Sequence, residues 1–82
     1  MSITTLTPEL KKLGYNYIEE ENETIELSKN KKGSDRLRLD NVLNYAFKID
    51  EHDDILEFEE TDQELLELLE SHGYEIIEDE NL

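Results

Sequence analysis

The sequence predicts a small α+β domain whose helices pack on one face of a mostly antiparallel sheet. Two kinds of pattern lead to this prediction. In some segments apolar and polar residues alternate, as in strands, and in others apolar residues recur three and four positions apart, as in helices. Their order along the chain is α-β-β-α-β-α-β. With 82 residues the chain is short for a domain, so we expect one domain, residues 1–82, with a thin core.

The first helix and the hairpin after it have clear boundaries. In Thr7-Pro8-Glu9, Thr can accept a hydrogen bond from a free amide, Pro suits the first helical position, and Glu favours the positive end of the helix. Gly14 can adopt the left-handed conformation that ends this short helix. Strands are predicted over 15–20 and 24–29, where apolar and polar residues alternate on either side of a polar turn.

The middle of the chain changes from one pattern to the other. Residues 36–39 alternate, which fits either a short strand or the lead-in to a helix. The apolar residues that follow have the spacing of an amphipathic helix: Leu39, Val42, Leu43, Ala46 and Phe47. With Asp40 available as N-cap, this spacing predicts a helix over 41–48.

The last third of the chain predicts a charged turn, a strand, a helix and a final strand. The turn covers 50–54 and the strand 55–59. Residues 61–64 have the sequence of a capping box, in which Thr caps the first turn and Glu reaches back to it. Leucines occupy one side of the helix that follows and acidic residues the other. Gly73 ends this helix, and 74–78 form the last predicted strand.

The predicted core collects the apolar residues on the inward side of these elements. It consists of Leu6, Leu10, Leu13, Tyr17, Ile25, Leu27, Leu39, Val42, Leu43, Phe47, Leu56, Phe58, Leu65, Leu69 and Ile76. Segments 14–22 and 73–81 are also alike, with six of nine positions identical. Either a duplication or a shared requirement for a helix-ending glycine followed by an aromatic strand start explains this likeness.

The net charge is distributed unevenly. Residues 1–48 contain eight basic and eight acidic residues, whereas 49–82 contain fifteen acidic residues and no basic one, which accounts for the whole net charge of −15. A block of one sign attracts cationic surfaces and repels anionic ones. This distribution argues against a protein that binds nucleic acid or membranes directly.

The absence of certain features also restricts the class of protein. The chain has no cysteine, so it has neither disulfides nor thiolate metal ligands. Its N-terminal residues lack the pattern of a signal peptide, and no segment approaches the ~20 apolar residues of a membrane span. We therefore expect a cytoplasmic protein, either a monomer or a homodimer, that needs no cofactor.

The acidic half supplies the candidate partner-binding residues. They are Asp50, Glu51, Asp53, Asp54, Glu57, Glu59, Glu60, Glu64, Glu67 and Glu70. On a strand, Glu57 and Glu59 would lie about 6.6 Å apart on one face, and on a helix Glu60, Glu64 and Glu67 would form a row about one turn apart. Both spacings are close to that of phosphates along a nucleic-acid strand. The sequence thus predicts a non-enzymatic mimic of nucleic acid that occupies the basic groove of a nucleic-acid-binding enzyme.

This combination of small size, acidity and absence of a catalytic motif resembles the nucleic-acid-mimicking inhibitors that phages and mobile elements use against host enzymes. The resemblance implies an anti-defence protein of the anti-restriction or anti-CRISPR type. The alternative is an immunity or regulatory protein that covers a basic toxin or transcription factor. The acidic residues could instead serve only solubility or reflect adaptation to salt.

Other candidate sites carry weaker signals. Residues 50–54 are rich in carboxylates, but an EF-hand starting at Asp50 would need Gly where Ile55 stands and Glu where Thr61 stands. The basic residues Lys29, Lys31, Lys32, Arg36 and Arg38 lie next to Gly33-Ser34 without P-loop spacing. We interpret this stretch as a solvated loop that offsets the acidic half, with partner contact or phosphate binding as alternatives. No serine or cysteine motif indicates catalysis, and we predict that the protein is not an enzyme.

Overall fold

The computed structural model describes residues 2–30 and 36–78, which form a six-stranded, mostly antiparallel sheet with two short helices. The helices are α1 (Pro8–Lys12) and α2 (Gln63–Ser71), and a 3₁₀ turn (Glu60–Asp62) precedes α2. The strands are β1 (Tyr17–Glu21), β2 (Thr24–Ser28), β3 (Arg36–Asp40), β4 (Tyr45–Ile49), β5 (Ile55–Leu56) and β6 (Glu75–Ile76). The α+β character agrees with the sequence prediction, but the order of elements does not.

The sheet is a meander closed by one parallel strand. Strands β1 to β5 pair consecutively and antiparallel. Strand β6 pairs parallel with β4, opposite Tyr45 and Ala46, while β5 pairs with Lys48 and Ile49. Because β3 occupies the other edge of β4, the two short strands share one edge of β4 end to end. Among the described residues no helix is long and apolar enough to cross a membrane.

The two faces of the sheet differ in character. On the inner face, Ile25 and Leu27 of β2, Leu37 and Leu39 of β3 and Ala46 of β4 belong to one buried cluster. Leu10 of α1 and Leu65 and Leu69 of α2 are part of the same cluster. The outer face carries the alternate residues, among them Glu26, Arg36 and Arg38. Burial of large apolar side chains is the main stabilising contribution here.

The predicted helix over 41–48 is wrong, because this segment forms a turn and strand β4. Asp40 Oδ1 accepts hydrogen bonds from the amides of Val42 (2.9 Å) and Leu43 (3.0 Å), which closes the turn instead of starting a helix. Asn44 has a φ of 61°, a left-handed conformation that Asn tolerates and that interrupts a helix. After it, aromatic and apolar residues alternate with the inward Ala46 and Lys48, which suits a strand.

This error also affects the predicted core. Val42 and Leu43 are 60% and 59% exposed at the tip of the β3–β4 hairpin, and Tyr17 is 44% exposed on β1. Phe47 is half-buried on the outer face, and Leu56 is half-buried outside the main cluster. The sequence prediction missed several buried residues: Ile3, Tyr15, Leu37, Ala46, Ile49 and Tyr74. The other predicted core residues are buried or pack against the cluster.

The two helices begin differently from one another and end alike. Thr7 caps α1 as predicted, with its Oγ1 accepting from the Leu10 amide at 3.2 Å. The capping box predicted at Thr61 is wrong, because the chain turns earlier, where the Glu59 amide donates to Asp62 Oδ2 at 2.8 Å. A single 3₁₀ turn therefore separates this cap from α2.

At the helix ends, segments 14–22 and 73–81 share their first turn. Gly14 (φ 103°) and Gly73 (φ 93°) are left-handed, as predicted. The tyrosine after each glycine donates its amide to a helical carbonyl at 3.1 Å: Tyr15 to Leu10, and Tyr74 to Leu69. Both tyrosines are buried. The likeness in sequence thus corresponds to the same helix-ending motif used twice.

Candidate acidic interaction surfaces

The structure places the ten predicted partner-binding residues in three consecutive groups. Asp50, Glu51, Asp53 and Asp54 lie in the β4–β5 loop, Glu57, Glu59 and Glu60 lie between β5 and α2, and Glu64, Glu67 and Glu70 lie on α2. All are exposed except Asp50, which is half-buried.

The loop group is ordered by its own first carboxylate. Asp50 Oδ1 accepts from the amides of His52 (2.8 Å) and Asp54 (2.9 Å), and Asp53 adopts a left-handed φ of 66°. The amides of Asp54 and His52 hold the pKa of Asp50 below its ordinary value, because they stabilise the ionised form. This carboxylate is therefore engaged within the loop.

Asp53 belongs to a charge network on the outer face of the sheet. Arg36 donates Nη2 to Asp53 Oδ1 at 2.6 Å and Nη1 to Glu26 Oε1 at 2.8 Å, while Arg38 Nη2 donates to Glu26 Oε2 at 2.7 Å. Arg36 also donates to the backbone oxygen of Asp50 at 2.7 Å. Burial alone would raise the pKa of Glu26, but the two guanidinium groups outweigh it and lower that pKa.

This network engages the side chains of one of the ten predicted partner-binding residues and of two residues of the basic stretch. Asp53 lies beside cations, so it contributes less to an acidic surface than its sequence neighbourhood indicates. Arg36 and Arg38 bind carboxylates of this chain, which argues against a phosphate site there. Lys29 lies over the ring of Tyr15, 5.4 Å from its centroid. Lys31 and Lys32 lie outside the described residues.

The second group does not have the predicted strand geometry. Strand β5 ends at Leu56, so the strand spacing predicted for Glu57 and Glu59 does not apply. The segment is held by its amides: the Phe58 amide donates to Glu78 Oε2 at 3.0 Å and the Glu59 amide to Asp62 Oδ2. Glu57, Glu59 and Glu60 remain exposed.

The third group follows the predicted division of α2 into an apolar and an acidic side. Leu65 and Leu69 are buried, whereas Glu64, Glu67 and Glu70 are exposed. Between the two helices, a groove of about 330 Å³ has Leu13 and Leu68 among its lining residues, together with Glu9, Lys12, Glu64 and Glu67. We call Glu57, Glu59, Glu60, Glu64, Glu67 and Glu70 the acidic face. Within the described residues, none of these six forms an ion pair with Lys or Arg.

One acidic residue of this region points inward. Asp62 Oδ2 lies 3.0 Å from Nζ of Lys48, which is 9% exposed on the inner face of β4. Burial would raise the pKa of Asp62, but the Glu59 amide and the Lys48 ammonium together lower it. Asp62 therefore stabilises the fold and takes no part in the acidic face.

A second acidic surface lies in the half of the chain whose net charge is zero. Glu19, Glu20 and Glu21 are exposed on the edge strand β1, and we call them the acidic edge. They line a concavity of about 660 Å³ together with Asn22, Thr24, Glu26 and Arg38. Counting charges along the sequence missed this surface, because a sum over residues 1–48 does not show where each charge lies. The run of three glutamates in a predicted strand was the available signal.

Few large apolar or aromatic side chains that could anchor a partner are exposed in the described structure. Tyr15 and Tyr74 are buried, so they are not interface residues beside the acids. The large apolar side chains that the described structure exposes are Tyr17 on β1 and Val42 and Leu43 on the β3–β4 turn. In the described parts of the chain, no three His, Asp or Glu side chains converge on a position suited to a metal ion.

Comparison with known proteins does not assign a family. A search for relatives finds no matching family model, no similar curated protein and no similar solved structure. Arguments about function therefore rest on the surfaces described above.

Proposed function

We propose that the protein is a non-enzymatic binding module whose acidic face occupies the cationic groove of a nucleic-acid-binding enzyme and inhibits it by occlusion. The observation that carries this proposal is the acidic face itself. Its six carboxylates are exposed, and within residues 2–30 and 36–78 none of them has a Lys or Arg partner. Carboxylates that no described Lys or Arg neutralises retain the field that draws them towards a basic surface.

The chemistry of such a partner follows from what binds nucleic acid. A groove that binds a phosphate backbone presents several Lys and Arg side chains, and its affinity comes largely from releasing counterions. A folded protein with fixed carboxylates satisfies the same side chains. Inhibition of this kind requires occupation of the groove and no catalytic residue.

The fold supports this proposal by keeping the acidic face outward. In this proposal, the two helices cover the inner face of the sheet with Leu10, Leu65 and Leu69. The opposite side of α2, which carries Glu64, Glu67 and Glu70, then faces solvent. Of the loop group, Glu51 and Asp54 add to this surface, since Asp50 and Asp53 are engaged within the chain. The protein would act in the cytoplasm, as an anti-defence inhibitor of the phage or mobile-element type.

Capture from a nuclease-treated bacterial lysate tests this proposal when two variants of equal charge are compared. The first, Glu57→Gln/Glu64→Gln/Glu67→Gln, removes three charges from the acidic face, and the second, Glu19→Gln/Glu20→Gln/Glu21→Gln, removes three from the acidic edge. We expect the wild type and the edge variant to retain a DNA- or RNA-processing enzyme that competing DNA or about 500 mM salt releases. The face variant should lose it. Equal capture by both variants, or no release by DNA, would contradict the proposal.

A second candidate function follows from the exposed hairpin tip. Val42 and Leu43 present two large apolar side chains on a turn that Asp40 holds in place. An immunity or regulatory protein that covers a basic toxin or transcription factor could use them as apolar anchors, surrounded by acidic contacts. Binding would then resist salt and be lost in Val42→Ser/Leu43→Ser, whereas the mimic would tolerate that change.

A further inference from the structure

Among the residues that the structure describes, one edge of the sheet has no neighbouring strand. Strand β1 lies at the end of the sheet, and in the described part of the chain no strand pairs with its outer side. The opposite edge of the sheet differs, because it consists of the two short strands β5 and β6, which both pair with β4. Alternate residues of β1 thus present backbone amides and carbonyls that a further extended chain could pair with.

The side chains of this edge restrict what can pair with it. By register, Glu19 shares the outer face with Glu26, and Glu21 shares it with Thr24. Glu26 is satisfied by Arg36 and Arg38, whereas Glu19, Glu20 and Glu21 form no ion pair with a described Lys or Arg. A second copy of this chain would bring like charges together at such an edge, which is unfavourable.

The same charges favour an extended segment of opposite sign. In strand pairing, side chains at every second position lie on one face. A strand added beside β1 would place two side chains, two residues apart, next to Glu19 and Glu21. The concavity of about 660 Å³ at this edge provides room for long side chains there. On the inner face, the added strand would place one side chain beside Glu20 and another beside the half-buried Ile18.

We propose that the β1 edge binds an extended protein segment, rich in Lys or Arg at alternate positions, by adding it to the sheet as a further strand. The paired backbone supplies affinity, and Glu19 and Glu21 select for basic residues. This inference concerns a different surface from the acidic face and does not depend on the proposed function. Each can fail while the other holds.

The probe is a blocked peptide, acetyl-Thr-Lys-Val-Lys-Val-Lys-Thr-amide. Its matched control has the same sequence with every backbone nitrogen between the blocking groups methylated, which keeps every charge and removes the amide donors from both edges of the peptide. We expect the first peptide to bind and to shift the amide resonances of β1 in NMR spectra, and the methylated peptide to bind at least about tenfold more weakly. Equal binding of both peptides would overturn the proposal, since attraction between charges alone would then explain it.

Two protein variants locate the site. Glu19→Gln/Glu21→Gln should weaken binding of the lysine peptide about tenfold or more, while Glu64→Gln/Glu67→Gln, with the same change in net charge, should leave it within about twofold. Equal losses in both variants, or resonance shifts centred on α2, would overturn the proposal. A wild-type dimer that sedimentation experiments detect and that pairs through β1 would also overturn the proposal, because a second copy would then occupy this edge.

Discussion

Lys48 and Asp62 form an ion pair of 3.0 Å that joins the inner face of strand β4 to the turn preceding α2. The Lys48 ammonium also lies 5.8 Å from the centre of the Phe58 ring. Asp62 also accepts a hydrogen bond from the Glu59 amide. One carboxylate therefore connects the sheet to the capped segment that precedes α2. A basic residue of the neutral half thus holds the segment of the acidic half that carries Glu59 and Glu60.

Removing the cation of this pair should destabilise the fold. In Lys48→Met the nearly buried Asp62 keeps its charge and the Glu59 amide but loses its cation, and we expect the free energy of unfolding to fall by about 2–3 kcal/mol. Lys12→Met, the same change at an exposed helical lysine, serves as control and should stay within about 0.5 kcal/mol of wild type. Urea unfolding measures both variants. Equal stabilities would show that the pair contributes nothing.

The hydroxyl of Tyr74 should matter more than that of any exposed tyrosine. It accepts from the Ile3 amide at 2.8 Å and donates to Asn41 Oδ1, while Asn41 Nδ2 donates to the Ile3 carbonyl at 3.1 Å. Tyr74→Phe leaves two of these groups unsatisfied, with an expected loss of about 1–3 kcal/mol. Tyr17→Phe on the exposed side of β1 is the matched control. Thermal unfolding measures both variants, and an equal decrease in their midpoint temperatures would argue against the network.

Acid should remove the contribution of two carboxylates. Burial opposes the ionised forms of Asp62 and Glu26, yet their amide, ammonium and guanidinium partners bring both pKa values below the ordinary range. Unfolded Asp and Glu bind protons near pH 3.9 and 4.3, so the stabilisation is present above about pH 4.3 and is lost as pH falls through the lower folded pKa values. The stability difference between wild type and Asp62→Asn should therefore shrink from pH 6 to about pH 3. A constant difference would contradict this sign.

The exposed hairpin tip allows a direct test of the β3–β4 turn. Val42→Ser/Leu43→Ser should change the free energy of unfolding by less than about 0.5 kcal/mol per residue, because both side chains are already in solvent. Leu39→Ala, at a fully buried position of the neighbouring strand β3, should cost about 2–5 kcal/mol. A large loss at 42 and 43 would instead favour the amphipathic helix.

The features that could be predicted from sequence are those set by local chemistry. Thr7, Gly14 and Gly73 act where they were predicted, because caps and left-handed glycines depend on a few neighbouring residues. The acidic and apolar sides of α2 were likewise predicted from helical spacing. The turn and strand over residues 41–48 were not predicted, because the apolar residues there have helical spacing by coincidence: Leu39, Val42, Leu43 and Phe47. Their conformation is decided by the Asp40 carboxylate, Asn44 and pairing with β3.

The candidate surfaces show the same limit. Sequence identified the acidic residues of α2, but it treated Asp53 as unpaired because Arg36 and Arg38 are fifteen or more positions away. It also overlooked Glu19 to Glu21, because a sum over 48 residues hides where each charge lies. Positions of charges depend on strand register, which long-range pairing determines.

The meander has a consequence for the order in which the chain folds. Strands β1 to β4 pair with sequence neighbours across short connections, so these hairpins cost little loop-closure entropy and form early. The parallel pairing of β6 with β4, and the hydrogen bond between Ile3 and Tyr74, join residues 30 and 71 positions apart. We expect these contacts to form after the rate-limiting step. Substitutions at Tyr74 should then speed unfolding and leave the refolding rate nearly unchanged.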